Sequence, residues 1–229
     1  MHPEISFLLP TIRDYNGWAK LVVDSIYSAN PNFPIEILIS SKEEITDPRV
    51  VWYAEPEELG STKVVNMLYS KSTGKYVHCA CDDMIYQRQW PEVMKELEFL
   101  QWRNHKYIAL AGFCNQTCYL CAWHSPLFSR ERCNPSYISA RFPIIARSTV
   151  DTYLDGIIFN ESFKHHYVDM WLGHWAAENG CQIQESQFLK VDVLRHATNF
   201  SFDQYDERIF MELCDRLKTN PGLSYSEIV

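Results

Sequence analysis

Asp82 and Asp83 are the first residues in this chain whose types and spacing could do chemistry. They follow the short β-forming run Tyr76–Cys79, and a polar, helix-starting segment is expected after them. Two adjacent carboxylates at the end of a strand repel each other, which costs stability unless something positive sits there. A hard divalent cation that bridges phosphate oxygens is the commonest reason for such a pair. The plainer alternative is a helix N-cap with a solvated neighbour.

The cysteines offer a second constellation. Cys114, Cys118 and Cys121 have the Cys-x3-Cys-x2-Cys spacing that can hold three irons of a cluster. Enzymes built on that motif carry it early, whereas here an α/β half precedes it. Cys118, Cys121, His124 and Cys133 could instead bind zinc, although the Cys-x2-Cys-x2-His spacing is tight for a finger. The simplest reading is a cysteine-rich, aromatic loop whose thiols pack as small hydrophobes.

Composition bounds the classes that remain. With 229 residues, 46% of them hydrophobic, the chain can bury a sizeable core. Its net charge of −8 argues against a general nucleic-acid binder, which would show a basic stripe. The first residues lack the basic and long apolar regions of a signal peptide, and no apolar run approaches the roughly 20 residues of a membrane span. A cytoplasmic protein with its cysteines as thiols is expected.

The elements that must position the acidic pair alternate regularly. Ile5 to Leu9 reads as a buried strand closed by Pro10. A helix is expected over Gly17 to Ala29, and strands over Ile35 to Ser40 and Val50 to Tyr53. Ser61 to Ser72 fits a helix, Tyr76 to Cys79 a strand, Pro91 to about Arg103 a helix, and Tyr107 to Phe113 a strand. That order implies a mostly parallel central sheet flanked by helices. Ligands of such sheets bind beyond the carboxyl ends of the strands, so Pro10 to Arg13, Ser40-Ser41 and Asp82-Asp83 should converge at one edge. Further on, Ile144 and Ile145 suggest a short strand, His165 to Asn179 a helix and Phe188 to Leu194 a strand. Ser201 to Lys218 reads as an amphipathic helix with a Tyr205, Ile209, Leu213, Leu217 stripe. No linker or repeat divides the chain, so residues 1–229 are expected to form a single domain.

These residues resemble a family 2 glycosyltransferase with the GT-A fold. The resemblance rests on the strand followed by Pro10-Thr11, the run Glu36 to Ser41, and Gly60 with Asn66 on the next helix. It continues through Gly74 to Asp82-Asp83 and, later, Phe159 to Leu172 with Asp169. It spans roughly residues 5–200. It implies a nucleotide-binding half over 1–113 and an acceptor-binding half over 114–229. The implied reaction moves a sugar from a UDP-, GDP- or dTDP-linked donor to a glycan or other hydroxyl acceptor, with Mn2+ or Mg2+ as cofactor.

Residue by residue, the resemblance makes Asp83 the metal ligand, with His196 as a possible second. Asp82 would face the ribose or donor sugar. Cys81 stands where the family motif usually has its first Asp. Asp169 matches the catalytic base, with Val168 in place of the usual Glu. An inverting transfer needs such a carboxylate to take the acceptor's proton. Its neighbours Val168, Met170 and Trp171 would strip water from it. Pro10, Thr11, Arg13, Ser41, Lys63 and Asn66 would line the donor nucleotide. The segment 140–150 would wall the acceptor, with Trp123, Arg141 and Arg147 as contacts. Two other classes stay open: a nucleotidyltransferase, whose early Gly-rich signature is missing after Pro10, and a non-catalytic nucleotide-sugar-binding relative.

Overall fold

The computed structural model describes residues 2–12, 14–29, 31–55, 59–87, 90–103, 107–114, 140, 142–165, 167–193 and 203–227. Among the described residues eight strands form one sheet: β1 (Ile5–Pro10), β2 (Ile35–Ser41), β3 (Val51–Ala54), β4 (Tyr76–Cys79), β5 (Met84–Tyr86), β6 (Tyr107–Cys114), β7 (Ile144–Ala146) and β8 (Gln182–Val193). Their spatial order is β3-β2-β1-β4-β7-β6-β8-β5. β1 to β4 are mutually parallel, and β6 and β8 run the same way. Only β7 and β5 run against them.

Alternation along the strands divides the core between the two faces of the sheet. Ile5, Phe7, Leu9, Ile37 and Ile39 face α1 (Lys20–Ala29) and α3 (Trp90–Arg103). Leu8, Leu38 and Val77 face α2 (Ser61–Lys71), α5 (Val168–Glu178) and α6 (Asp203–Thr219). A short α4 (Arg147–Tyr153) joins the second core through Val150. Strands buried on both faces read as continuous apolar runs, which is why β1 and β2 are so plain in the sequence.

Several elements depart from expectation. The segment after Asp83 is a strand, because Met84, Ile85 and Tyr86 pair antiparallel with Val193, Asp192 and Val191 of β8. The acidic pair therefore lies in a turn between two strands and does not cap a helix. Helix α5 starts at Val168 rather than His165, because Tyr167 just before it is left-handed at φ 63°, a conformation that a right-handed helix cannot include. The first helix is preceded by a turn over Tyr15–Ala19 that is kinked at the non-helical Gly17 (φ −83°, ψ −118°). On α6 the buried stripe runs through Asp206, Ile209, Phe210, Leu213 and Leu217, and Tyr205 is exposed. Among the described residues no helix is long and apolar enough to cross a membrane.

His78 on β4 is fully buried among Phe7, Tyr86 and Trp90. One ring nitrogen lies 2.7 Å from the Tyr86 hydroxyl and the other 3.2 Å from the Pro143 carbonyl. Burial pushes its pKa down to about 4 from an ordinary 6.5. The unfolded chain binds this proton below the ordinary value and the folded chain refuses it. The stability at stake is fully present above pH 6.5 and is lost as pH falls towards 4. Denaturant unfolding should therefore show a loss of about 2 kcal/mol from this group between pH 7 and pH 5. His78→Asn, less stable at pH 7, should lack that component. An unchanged pH slope in the variant would refute it.

Candidate functional site at the carboxyl edge of the sheet

Because β1, β2, β3, β4, β6 and β8 are parallel, their carboxyl ends open on one edge. The acidic turn follows β4 at that edge. The Met84 amide donates to the Cys81 carbonyl at 3.4 Å, which puts Asp82 and Asp83 at the corner of a four-residue turn. Thr11, just past β1, is buried and donates its hydroxyl to Asp82 Oδ2 at 2.8 Å. Its own amide donates to the Ser40 carbonyl of β2. One threonine thus ties together the ends of β1, β2 and β4 and orients one carboxylate. Asp83 is 7% exposed.

Asp169 reaches the same edge through the segment before β7. Its carbonyl accepts from the Ala140 amide at 3.0 Å, and Pro143 accepts from the Cys79 amide at 3.1 Å. The start of α5 is thereby linked to the strand that delivers the acidic pair. The side chain of Asp169 is partly exposed in the first turn of α5, where the helix dipole favours a negative charge. Burial raises the pKa of the Cys81 thiol well above its ordinary value, and the fields of Asp83, Asp82, Cys79 and, least, Asp169 add to the rise.

At the same edge, past the ends of β1 and β2, lies a cavity of about 500 Å3. Ile12, Asp14, Tyr15 and Asn16 from the loop after β1 form one wall, and residues 41–49 after β2 form the other. Ser41 sits in its lining. Its hydroxyl donates to the Glu43 carbonyl at 2.6 Å and accepts from the Trp52 indole at 3.0 Å. The outer rim is fixed by Asp47, which accepts from Tyr15 at 2.6 Å and from Arg49 at 2.6 Å. The Arg49 bonds hold the Asp47 carboxyl well below the usual carboxylate range. Arg49 also pairs with Asp24 at 2.8 Å. A 500 Å3 cleft lies within the range of small-ligand sites.

No family model matches the chain, and no curated protein matches it. Solved structures do. S. aureus TarS superposes with a TM-score of 0.61 at 14% identity, over 97% of this chain and 41% of that one. TarS 1-349 in complex with UDP gives 0.61 at 15% identity, over 97% of this chain and 68% of that one. Mannosyltransferase PcManGT from Pyrobaculum calidifontis, in complex with GDP-Man and Mn2+, gives 0.62 at 12% identity, over 98% of this chain and 66% of that one. The chain has a GT-A-like glycosyltransferase fold.

Within this GT-A-like fold, some sequence expectations change. Asn66 was expected at the donor nucleotide, but its amide is occupied elsewhere. Its Nδ2 donates to the Phe159 carbonyl at 2.7 Å and to Glu161 at 3.1 Å, and its Oδ1 accepts from the Ile158 and Phe159 amides. Two donors and two acceptances exhaust an asparagine amide. Arg147 does not wall the acceptor side. Tyr76 opposite Ala146 puts it at the start of β4, the far edge of the sheet. There it donates to the Gly74 carbonyl and the Ser72 hydroxyl and lies over the Tyr69 ring. The antiparallel run of β7 explains this: Ala140 is near the site and Arg147 is a strand length away. Lys63 is exposed on α2, and Pro10 ends β1 opposite Ser40. Arg13, Trp123, Arg141, His196 and the Cys118, Cys121, His124 and Cys133 group lie outside the described residues. Sequence reasoning missed Asp206, although its place beside Ile209 and Leu213 on a helix put a carboxylate on the apolar face.

Asp82 and Asp83 supply oxygens, the ligands a hard divalent ion takes. Among the described residues no group of three or more His, Cys, Asp or Glu side chains is placed to hold a metal. With Asp82 bonded to Thr11, Asp83 is the carboxylate that fits an ion, which would draw its other ligands from phosphate oxygens and water.

Proposed function

We propose that this chain is a glycosyltransferase that moves a sugar from a nucleoside-diphosphate-sugar donor to a hydroxyl acceptor, with inversion and with the help of a divalent cation. What supports this reading is that the Thr11-anchored acidic turn, the cavity past β1 and β2 and the start of α5 at Asp169 belong to the carboxyl edge of the sheet. Two structural neighbours were solved with UDP or with GDP-Man and Mn2+, which supports a nucleotide-sugar donor and Mn2+ or Mg2+ here.

In this reading the nucleoside occupies the cleft between residues 41–49 and the loop after β1. Asp83 holds the cation, which when bound offsets the charge that develops on the departing diphosphate. Asp82, oriented by Thr11, contacts the ribose or the donor sugar. Asp169 accepts the proton of the acceptor hydroxyl as its oxygen bonds to the anomeric carbon. The bond from that carbon to the diphosphate oxygen breaks on the opposite side, so configuration inverts.

A thermal-shift series with UDP, GDP, dTDP and their sugar conjugates, with and without Mn2+, tests the reading. At ligand concentrations 100 times Kd, binding to the native state should add about 2.7 kcal/mol of stability. Cation-dependent stabilisation by one nucleoside diphosphate is expected. No stabilisation by any of these ligands, with or without Mn2+, would overturn the proposal.

A further inference from the structure

Residues 158–165 lead towards α5 and Asp169 without forming a helix or strand. Backbone of this kind would ordinarily satisfy its amides with water. Here buried side chains hold it from two directions. From α2, Asn66 accepts from the Ile158 and Phe159 amides at 3.0 and 3.1 Å and donates to the Phe159 carbonyl. One turn earlier, Thr62 donates to the Phe163 carbonyl at 2.5 Å. From α6, each oxygen of the Asp206 carboxylate takes one amide, Lys164 and His165. Asn66 is 7% exposed, and Thr62 and Asp206 are fully buried.

Two further features hold the same run. Gly60, at φ +82°, lets the start of α2 approach so closely that an added Cβ would sit 2.7 Å from the Lys164 carbonyl. The Tyr225 hydroxyl donates to the Ile158 carbonyl at 2.6 Å. Tyr167, in the left-handed conformation at φ 63°, stacks on Phe210 of α6 and starts α5. Asp169 follows two residues later. The position of its carboxylate along the ligand edge is therefore set by how firmly 158–165 is held.

We infer that Asn66 and Asp206 are positioning residues: they clamp residues 158–165 between α2 and α6 and so fix where Asp169 stands, without touching the donor. The inference rests on the transferase reading of Asp169, and its test separates the two. Asn66→Asp keeps the size of the side chain but sets an acceptor against the Phe159 carbonyl and Glu161. Asp206→Asn sets a donor against one of the two amides. A displacement of about 1 Å at a reacting group costs on the order of 100-fold in rate.

In both variants kcat for transfer should fall by about 10–100-fold. The donor KM and the Kd for the nucleoside diphosphate should stay within about twofold, since neither residue meets the donor. Hydrogen exchange should show lost protection at Ile158 and Phe159 in Asn66→Asp and at Lys164 and His165 in Asp206→Asn, with β1 unchanged. Thr62→Val, which removes one bond and keeps the shape, should give the same split more weakly if either variant fails to fold. Unchanged kcat in a folded variant would overturn the inference. So would a loss of nucleotide affinity matching the loss of kcat/KM, which would return Asn66 to the donor site. Retained amide protection in the variants would overturn the clamp itself, whatever the wild-type activity. A wild-type protein that transfers no sugar would instead sink the transferase reading.

Discussion

Asp169→Asn should leave nucleoside diphosphate affinity intact while transfer falls by about 10²–10⁴-fold. Asparagine matches aspartate in size but cannot take a proton at the pH of the reaction. The bond from Ala140 to Asp169 uses the main-chain carbonyl, so it survives the substitution. Losing a carboxylate from the first turn of α5 costs about 0.3–1 kcal/mol through the helix dipole, too little to unfold the domain. Binding and transfer should thus separate cleanly, with kcat falling and the diphosphate Kd unchanged. Transfer at near wild-type rate would remove Asp169 as the base and leave another group, or solvent, to take the acceptor proton.

Asp83→Asn is the second large effect. The buried side chain stands at the corner of the turn after β4, beside the Thr11-oriented Asp82. A cation's contribution to the departing diphosphate is several kcal/mol, so transfer should drop on the order of 10²–10³-fold. The more specific signature lies in binding. Calorimetric titration of the wild type with a nucleoside diphosphate should show tighter binding with Mn2+ than without it. In Asp83→Asn that difference should vanish. Metal-dependent affinity that survives unchanged would mean that the acidic turn holds no cation. Asp82→Asn offers a contrast: its carboxylate is assigned to the sugar or ribose, so the Mn2+ dependence of diphosphate binding should persist.

Cys81 bears on both results. It stands where a first carboxylate is expected, and its thiol is held protonated by burial and by three nearby carboxylates. A neutral thiol adds no charge to the site. The acidic turn therefore offers two carboxylates, and a cation held by Asp83 would draw a larger share of its ligands from the diphosphate.

Most of the sheet was legible in the sequence. Strands β1, β2 and β4 and helices α2 and α3 were recognisable because short continuous apolar runs and 3.6-residue apolar patterns are local signals. Recognising those elements was enough to say which turns follow parallel strands. Thr11, Ser41 and the acidic pair could therefore be assigned to one edge before any contact was known. The physical reason is that a parallel strand must bury both faces, and only apolar runs bounded by helices can do so.

Tertiary structure decided the rest. Met84 to Tyr86 is a strand only because β8, far along the chain, supplies its hydrogen bonds. α5 starts late because Tyr167, stacked on Phe210 of α6, is left-handed and breaks the helix before Val168. Arg147 lies at the far edge because β7 runs antiparallel to β4, a direction no local pattern encodes. Asn66 has the residue type of a ligand contact, yet its amide is occupied by backbone 92 and 93 positions away. The sequence by itself determined the alternating elements, the ligand edge and the acidic turn, because burial periodicity is written locally. Only the tertiary structure decided which polar groups face that edge and which hold the chain in place, because each such bond joins segments that come together only on folding.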